Sequence, residues 1–151
     1  MRKLFIVLLV FISSLCYSQD KTKETTLRIG AGVSAFNIPS ASSMGINLNL
    51  MFNKIYFDLS TKYATTSDKT EAHAADIGYS FPIAKKFAII PTIGYGWYTQ
   101  TTISDGNSFD ETHDRFKIGA IGRININKYL DVYAGIGSFE TFKAGLMFKL
   151  F

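Results

Sequence analysis

The sequence predicts an all-β fold: an eight-stranded antiparallel up-and-down transmembrane β-barrel, preceded by a cleavable signal peptide. Three observations carry this. Apolar residues alternate with small or polar ones along most of the chain. Of the twelve glycines, ten fall on the non-apolar phase of that alternation. The connections between alternating stretches are mostly short and long in turn, as in a barrel with turns at one end and loops at the other.

The clearest stretch is 87–98, FAIIPTIGYGWY. One phase reads Phe87, Ile89, Pro91, Ile93, Tyr95 and Trp97. The other reads Ala88, Ile90, Thr92, Gly94, Gly96 and Tyr98. A strand points successive side chains to opposite faces, so this is a strand with one large apolar face and one mostly small face. At ~3.3 Å rise and ~40° tilt, the step from Phe87 to Trp97 covers about 25 Å. That is the height of the apolar band on a membrane barrel, with aromatics at both edges.

Arg2 and Lys3 open the chain, and residues 4–15 form an apolar stretch too short to span a bilayer as a helix. Cys16 and Ser18 place small residues at −3 and −1 for cleavage after Ser18, so domain one is the signal peptide, 1–18. A lipidated Cys16 would need a small residue before it, and Leu15 stands there. Cys16 is the only cysteine, so the mature chain has no thiol or disulfide chemistry. The net charge of +4 falls to +2 without Arg2 and Lys3, too little to point to a nucleic-acid partner.

Residues 19–24 read as a polar lead. The strands follow at 25–36, 44–52, 55–64, 72–83, 87–98, 115–126, 130–138 and 141–151. Turns are expected at 53–54, 84–86 and 127–129, and longer loops at 37–43, 65–71 and 102–114. The link after the seventh strand is short.

Alternation alone does not say which face points inward. Glycine decides it. A water-facing surface gains little from glycine, which weakens strands, whereas a small barrel's crowded interior needs small residues beside large ones. The apolar face also carries about thirty large side chains, too many for an eight-stranded barrel to enclose. The apolar face is therefore expected to meet lipid. The inner face then holds Arg28, Asp58, Asp76, Arg123, Asp131 and Lys149, a predicted lumen network of ion pairs, with Asn47, Asn49, Tyr56, Asn125 and Tyr133 among them. Pairing Ile136 with Ala144 would set Asp131 opposite Lys149, and a turn at Lys128 would set Asn125 opposite Asp131. Lys62, Lys117 and Lys143 are expected nearer the barrel ends, in water.

With its signal peptide, eight strands and terminal Phe151, the chain resembles the small bacterial outer-membrane β-barrel family, of the OmpX-like and OmpA transmembrane-domain type. The resemblance covers nearly all of the mature chain, 19–151, and is one of pattern. It implies an outer-membrane location, contact with outer-membrane lipid, a monomer, and passage through the barrel-assembly machinery, which reads a terminal Phe as an assembly signal. The family commonly has an aromatic two residues before that Phe. Here Lys149 stands there and Phe148 lies three before, so Phe151 falls on the polar phase unless a bulge restores it.

Some barrels of this type modify lipids and pair a His with a Ser. That His-x-Ser is absent: His73 is followed by Ala74-Ala75 and His113 by Asp114-Arg115. No catalytic residue and no cofactor are expected. The stretch SDGNSFDETHD offers Asp105, Asp110, Glu111, His113 and Asp114, ligand types that suit a divalent cation, without EF-hand spacing. A merely solvated loop accounts for the same residues. The expected function is a structural or surface-interaction role in the outer membrane. The alternatives are a narrow pore for ions or small solutes, and a soluble secreted barrel binding an apolar ligand.

Overall fold

A computed structural model describes residues 25–39, 43–65, 69–104 and 107–151, without the side chains of 103, 104 and 107. The expected signal peptide, the polar lead and Asp105 lie outside the described residues. The strands are β1 (Leu27–Phe36), β2 (Met44–Phe52), β3 (Ile55–Lys62), β4 (Thr70–Tyr79), β5 (Phe81–Pro82), β6 (Phe87–Ser104), β7 (Asn107–Asn125), β8 (Leu130–Gly137) and β9 (Glu140–Lys149). Each pairs antiparallel with its neighbours, β1 pairs with β9, and β4 pairs with β6. The sheet thus closes on itself.

β4 and β5 form one barrel strand. The register against β6 runs on unchanged from Gly78 opposite Thr92 to Phe81 opposite Ile89. The interruption has its cause in β6. In that register Pro91 stands opposite Tyr79, and proline has no N–H to give to the ladder. The other ladder holds, with the Ser80 N–H donating to Lys54 O at 2.7 Å. The barrel therefore has eight strands.

The two-residue turn Asn53-Lys54 takes its shape from Asn53, whose φ of 55° is one that asparagine tolerates. Asn53 also ties down the chain's entry to β1: its Oδ1 accepts from Thr26 N at 2.9 Å and its N–H donates to Thr26 O at 2.7 Å. The turns and the ends of the described chain share one end of the barrel, the turn end. The opposite, loop end carries 37–39, 43, 63–65, 69, the described ends of β6 and β7 at Ser104 and Asn107, and Ser138-Phe139.

Among the described residues thirty-one large apolar side chains are exposed, nearly all on the outside of the barrel, among them Leu48, Leu59, Ile118 and Ile136. Near the turn end the exposed aromatics are Phe52, Phe81, Tyr129 and Phe148, and near the loop end Tyr63, Tyr95, Trp97 and Phe116. A continuous apolar coat between two aromatic belts is the exterior of a transmembrane barrel. A soluble barrel with its apolar face inward is excluded by this orientation.

The structure corrects two expectations and decides a third point that the sequence left open. Residues 102–114 are not a loop. β6 and β7 run to Ser104 and from Asn107, paired as far as Ser104 opposite Asn107. The apolar alternation stops there, but polar cross-strand pairs replace it: Thr99 Oγ1 lies 3.0 Å from Thr112 Oγ1, and Thr101 Oγ1 donates to Asp110 Oδ1 at 2.7 Å. Second, Ala144 faces Ala134 rather than Ile136, so Asp131 faces Met147 and not Lys149. The reason is Phe139 and Glu140, which turn inward and are buried instead of forming a solvated link. The open point is the phase of Phe151, and no bulge near that end restores it. The β1–β9 register is regular from Arg28 opposite Lys149 to Ala35 opposite Phe142 and shifts only at Phe36, the far end. Phe151 lies past β9, exposed, with its carbonyl accepting from Leu27 N at 2.8 Å.

Leu59→Arg, at mid-height on the lipid face, is expected to destabilise the barrel by about 2–4 kcal/mol. The midpoint of urea unfolding in vesicles measures this.

Candidate functional site

The lumen is built in layers, because every second residue of eight strands points into it. At the turn end Asp131 gathers its partners. Arg28 Nε lies 2.8 Å from Asp131 Oδ2, Arg123 Nη1 contacts the same oxygen, and Asn125 Nδ2 donates to Oδ1 at 2.8 Å. Asn125 faces Asp131 across β7–β8. Lys149 sits beside this group, opposite Arg28 on β1.

Above it comes an apolar layer of Met51, Tyr56, Ile90, Ile121, Tyr133 and Met147, all buried. Its two tyrosines reach upward. Tyr133 Oη exchanges hydrogen bonds with the Asn47 amide at 3.0 and 3.2 Å, and Tyr56 Oη donates to Asp58 Oδ1 at 3.1 Å. Tyr133 fits because its hydroxyl lies against Gly32 and Gly145: a Cβ on Gly32 would stand 2.5 Å from it.

The third layer is a five-charge cluster. Lys143 Nζ lies 2.6 Å from Asp58 Oδ2, 3.0 Å from Asp76 Oδ2 and 3.4 Å from Glu140 Oε1. Lys117 Nζ lies 2.6 Å from Asp76 Oδ2 and contacts Glu140 Oε2. Asn47 Nδ2 and Ser60 Oγ also donate to Asp58, at 3.1 and 3.0 Å. Lys117 and Lys143 are 1% and 2% exposed, so they do not stand in water at the ends as expected. Lys62, expected there too, is buried and donates to Thr70 O. Long aliphatic stems carry all three heads inward from strands whose small inner neighbours leave room.

Asp58, Asp76 and Glu140 hold carboxylate oxygens within 4.8 Å of one another, a donor set that would suit a hard cation. The ammonium groups of Lys117 and Lys143 already lie against these carboxylates and supply the positive charge.

The fourth layer closes the loop end. Phe36 and Phe139 pack edge to face at 5.7 Å over Ala72 and Ala74. The Phe139 ring lies on Gly96, where a Cβ would come within 2.5 Å of the ring. Arg115 covers it from outside, 5.2 Å from the ring centroid, and its Nη2 donates to Asn37 O at 2.9 Å.

Of the predicted lumen network, Arg28, Arg123 and Asp131 meet at the turn end, and Asp58 and Asp76 meet in the centre. Phe139 and Glu140 were missed, because they sit in a link where alternation says nothing. Phe36, Met51, Ile90, Ile121 and Met147 share the inner phase, and that parity could have found them.

Beyond the barrel stands the β6–β7 hairpin. β4 pairs with β6 only as far as Thr70 opposite Gln100, and β8 pairs with β7 only from Gly119. The predicted cation set does not converge there. Asp110 and Asp114 take one face of β7, Glu111 and His113 the other. His113 Nε2 lies 3.1 Å from Glu111 Oε1, and its ring stacks on Tyr98 at 4.9 Å. His73 lies on the lipid-facing side, its Nδ1 2.9 Å from Thr61 Oγ1 and its ring 5.4 Å from Trp97.

An eight-stranded, lipid-coated, plugged barrel defines an integral membrane protein of the bacterial outer-membrane type. The chain belongs to the outer membrane protein beta-barrel domain family, whose model matches residues 5–147. Among solved structures it is similar to Ail, the attachment invasion locus protein of Yersinia pestis, in complex with the heparin analogue sucrose octasulfate. That match has 16% identity, covers 84% of this chain and 96% of Ail, and has a TM-score of 0.61. The N-terminal β-barrel domain of Pseudomonas aeruginosa OprF matches at 14% identity over 84% of this chain and all of that one, with a TM-score of 0.60. A de novo designed transmembrane β-barrel matches at 12% identity over 87% of this chain and all of that one, with a TM-score of 0.57. At these identities the likeness is one of fold. No match was found among curated proteins.

Lys143→Met is expected to cost about 3–5 kcal/mol, because three buried carboxylates would share one ammonium. Lys85→Met, on an exposed turn, should stay within about 0.5 kcal/mol of wild type. Urea midpoints of the two refolded variants give the comparison.

Proposed function

We propose that this outer-membrane protein is a non-catalytic surface-interaction protein, and that the β6–β7 hairpin is its interaction element, held outside the cell on a sealed barrel. The observation that carries this reading is the length of the hairpin. β6 and β7 run 18 and 19 residues, against 8–10 for β1, β2, β3, β4, β8 and β9, and the short β5 lengthens β4 only at the turn end. From Asn107 to Lys117 the outer edge of β7 pairs with no strand among the described residues, about 35 Å of backbone edge that ends where Ser138 N donates to Ile118 O. Such an edge accepts an added strand, and its charges keep it from pairing with copies of itself.

The chemistry of the edge selects the partner. Asp110, Glu111 and Asp114 face solvent against Arg115 alone, so the hairpin suits a basic or neutral segment. Ail was solved with a polysulfated sugar. An acidic hairpin repels such a polyanion, and that ligand is not carried over.

The filled lumen supports a sealed barrel rather than a pore, since the Tyr56–Tyr133 and Phe36–Phe139 layers are both buried. For catalysis, His73 offers only a hydrogen bond to Thr61 and ring contacts among the described residues, which suits an aromatic-belt residue.

Chymotrypsin added to intact cells is expected to cut after Phe109 while the barrel survives. Cutting only after the outer membrane is permeabilised would put the hairpin on the wrong side. In planar bilayers the purified barrel is expected to pass no steady current above background; a persistent open level would favour a pore.

A further inference from the structure

The two ends of the barrel carry opposite charge. At the turn end the described charged residues are Arg28, Lys54, Lys85, Lys86, Arg123, Lys128, Lys149 and one acid, Asp131. Both Asp131 oxygens are engaged by Arg28, Arg123 and Asn125. Every turn at this end brings at least one lysine to the level of the aromatic belt. Two lie over aromatic rings: Lys54 Nζ is 5.8 Å from the Tyr79 ring centroid and Lys128 Nζ 4.6 Å from that of Tyr129. An ammonium held at the rim of an apolar coat stands where lipid headgroups lie.

One place on this rim is a formed groove. It has a volume of about 470 Å³ and is lined by Thr25, Lys128, Tyr129, Lys149, Leu150 and Phe151. Its walls are fixed by backbone bonds: Lys149 N to Tyr129 O at 2.7 Å, Leu150 N to Leu27 O at 2.8 Å, and Leu27 N to Phe151 O at 2.8 Å. The turn beside it is locked by Asn127 Oδ1, which accepts from Tyr129 N at 2.8 Å and Leu130 N at 3.0 Å. Two lysines and two hydroxyl-bearing residues thus line a cleft that continues onto exposed Leu150 and Phe151, with Lys149 entering it from the lumen side of β9. Cationic and hydroxyl donors suit a phosphate, and the apolar continuation suits acyl chains in the same molecule.

We propose that this groove binds an anionic phospholipid of the leaflet at the turn end, its phosphate held by Lys128 and Lys149 and its chains lying along Leu150 and Phe151. The inference rests on the membrane-spanning reading of the barrel and adds a lipid class and a site to it. Among the described residues, the loop end exposes four acids, Glu71, Asp110, Glu111 and Asp114, against Lys69 and Arg115.

The test reconstitutes the full chain into vesicles of equal phosphatidylethanolamine and phosphatidylglycerol. Flotation and the boiling-dependent gel shift confirm insertion, and native mass spectrometry then counts the lipids that leave with the protein. Each lysine beside an anionic lipid contributes about fivefold, so phosphatidylglycerol should be retained roughly twentyfold over phosphatidylethanolamine. K128Q, an exposed turn substitution, should lower that preference about fivefold, and K85Q/K86Q should leave it unchanged. Equal retention of the two lipids by an inserted wild-type barrel would overturn the proposal. So would an equal loss in both variants, which would mean diffuse attraction to a charged rim rather than a site. Failure of the chain to float with vesicles of either lipid would instead refute the membrane reading beneath it.

Discussion

Buried charge is the constraint on which the rest of this barrel depends. Lys117, Lys143, Asp58, Asp76 and Glu140 sit in a lumen closed above and below by apolar layers, out of reach of water. An isolated charge there would cost several kcal/mol, so each must find an opposite charge or strong hydrogen bonds. The five come from four strands, one each from β3, β4 and β7 and two from β9, and their heads meet only when the sheet is closed in one register. A slip of one residue would turn every one of them into lipid. The cluster therefore reads as a register device as much as a source of stability.

The small residues follow from the large ones. Tyr133 lies over Gly145 and Gly32 on the next two strands, β9 and β1, and Phe139 lies over Gly96. A barrel of eight strands has just enough room for side chains, so each long inward group needs a missing one opposite. This is why glycine gathers on the inner phase although it weakens strands.

The ends of the barrel serve different surroundings. Lysines among aromatic rings border the apolar coat at the turn end, while acids and threonines line a ribbon that leaves the barrel at the loop end. The ribbon needs no apolar face, because polar cross-strand pairs and the stack of Tyr98 on His113 hold it. A polar ribbon beyond the barrel and a filled wall within separate the part proposed to meet a partner from the part that faces lipid.

The sequence by itself determined which residues face lipid and which face the lumen, because strand parity is local: each residue's neighbours two positions away report its face. It thereby placed Arg28, Asp58, Asp76, Arg123 and Asp131 indoors. Parity fails where the chain turns or where both phases are polar. That is why Phe139 and Glu140 were read as a link, and the hairpin from Thr102 to Asp114 as a loop. Partners were decided only by tertiary structure. Lys143 meets Asp58 across 85 residues of chain, and Asp131 meets Arg28 rather than facing Lys149, because two inward-turning residues moved the β8–β9 register. Nothing local to Asp131 records what Phe139 does at the other end of the barrel.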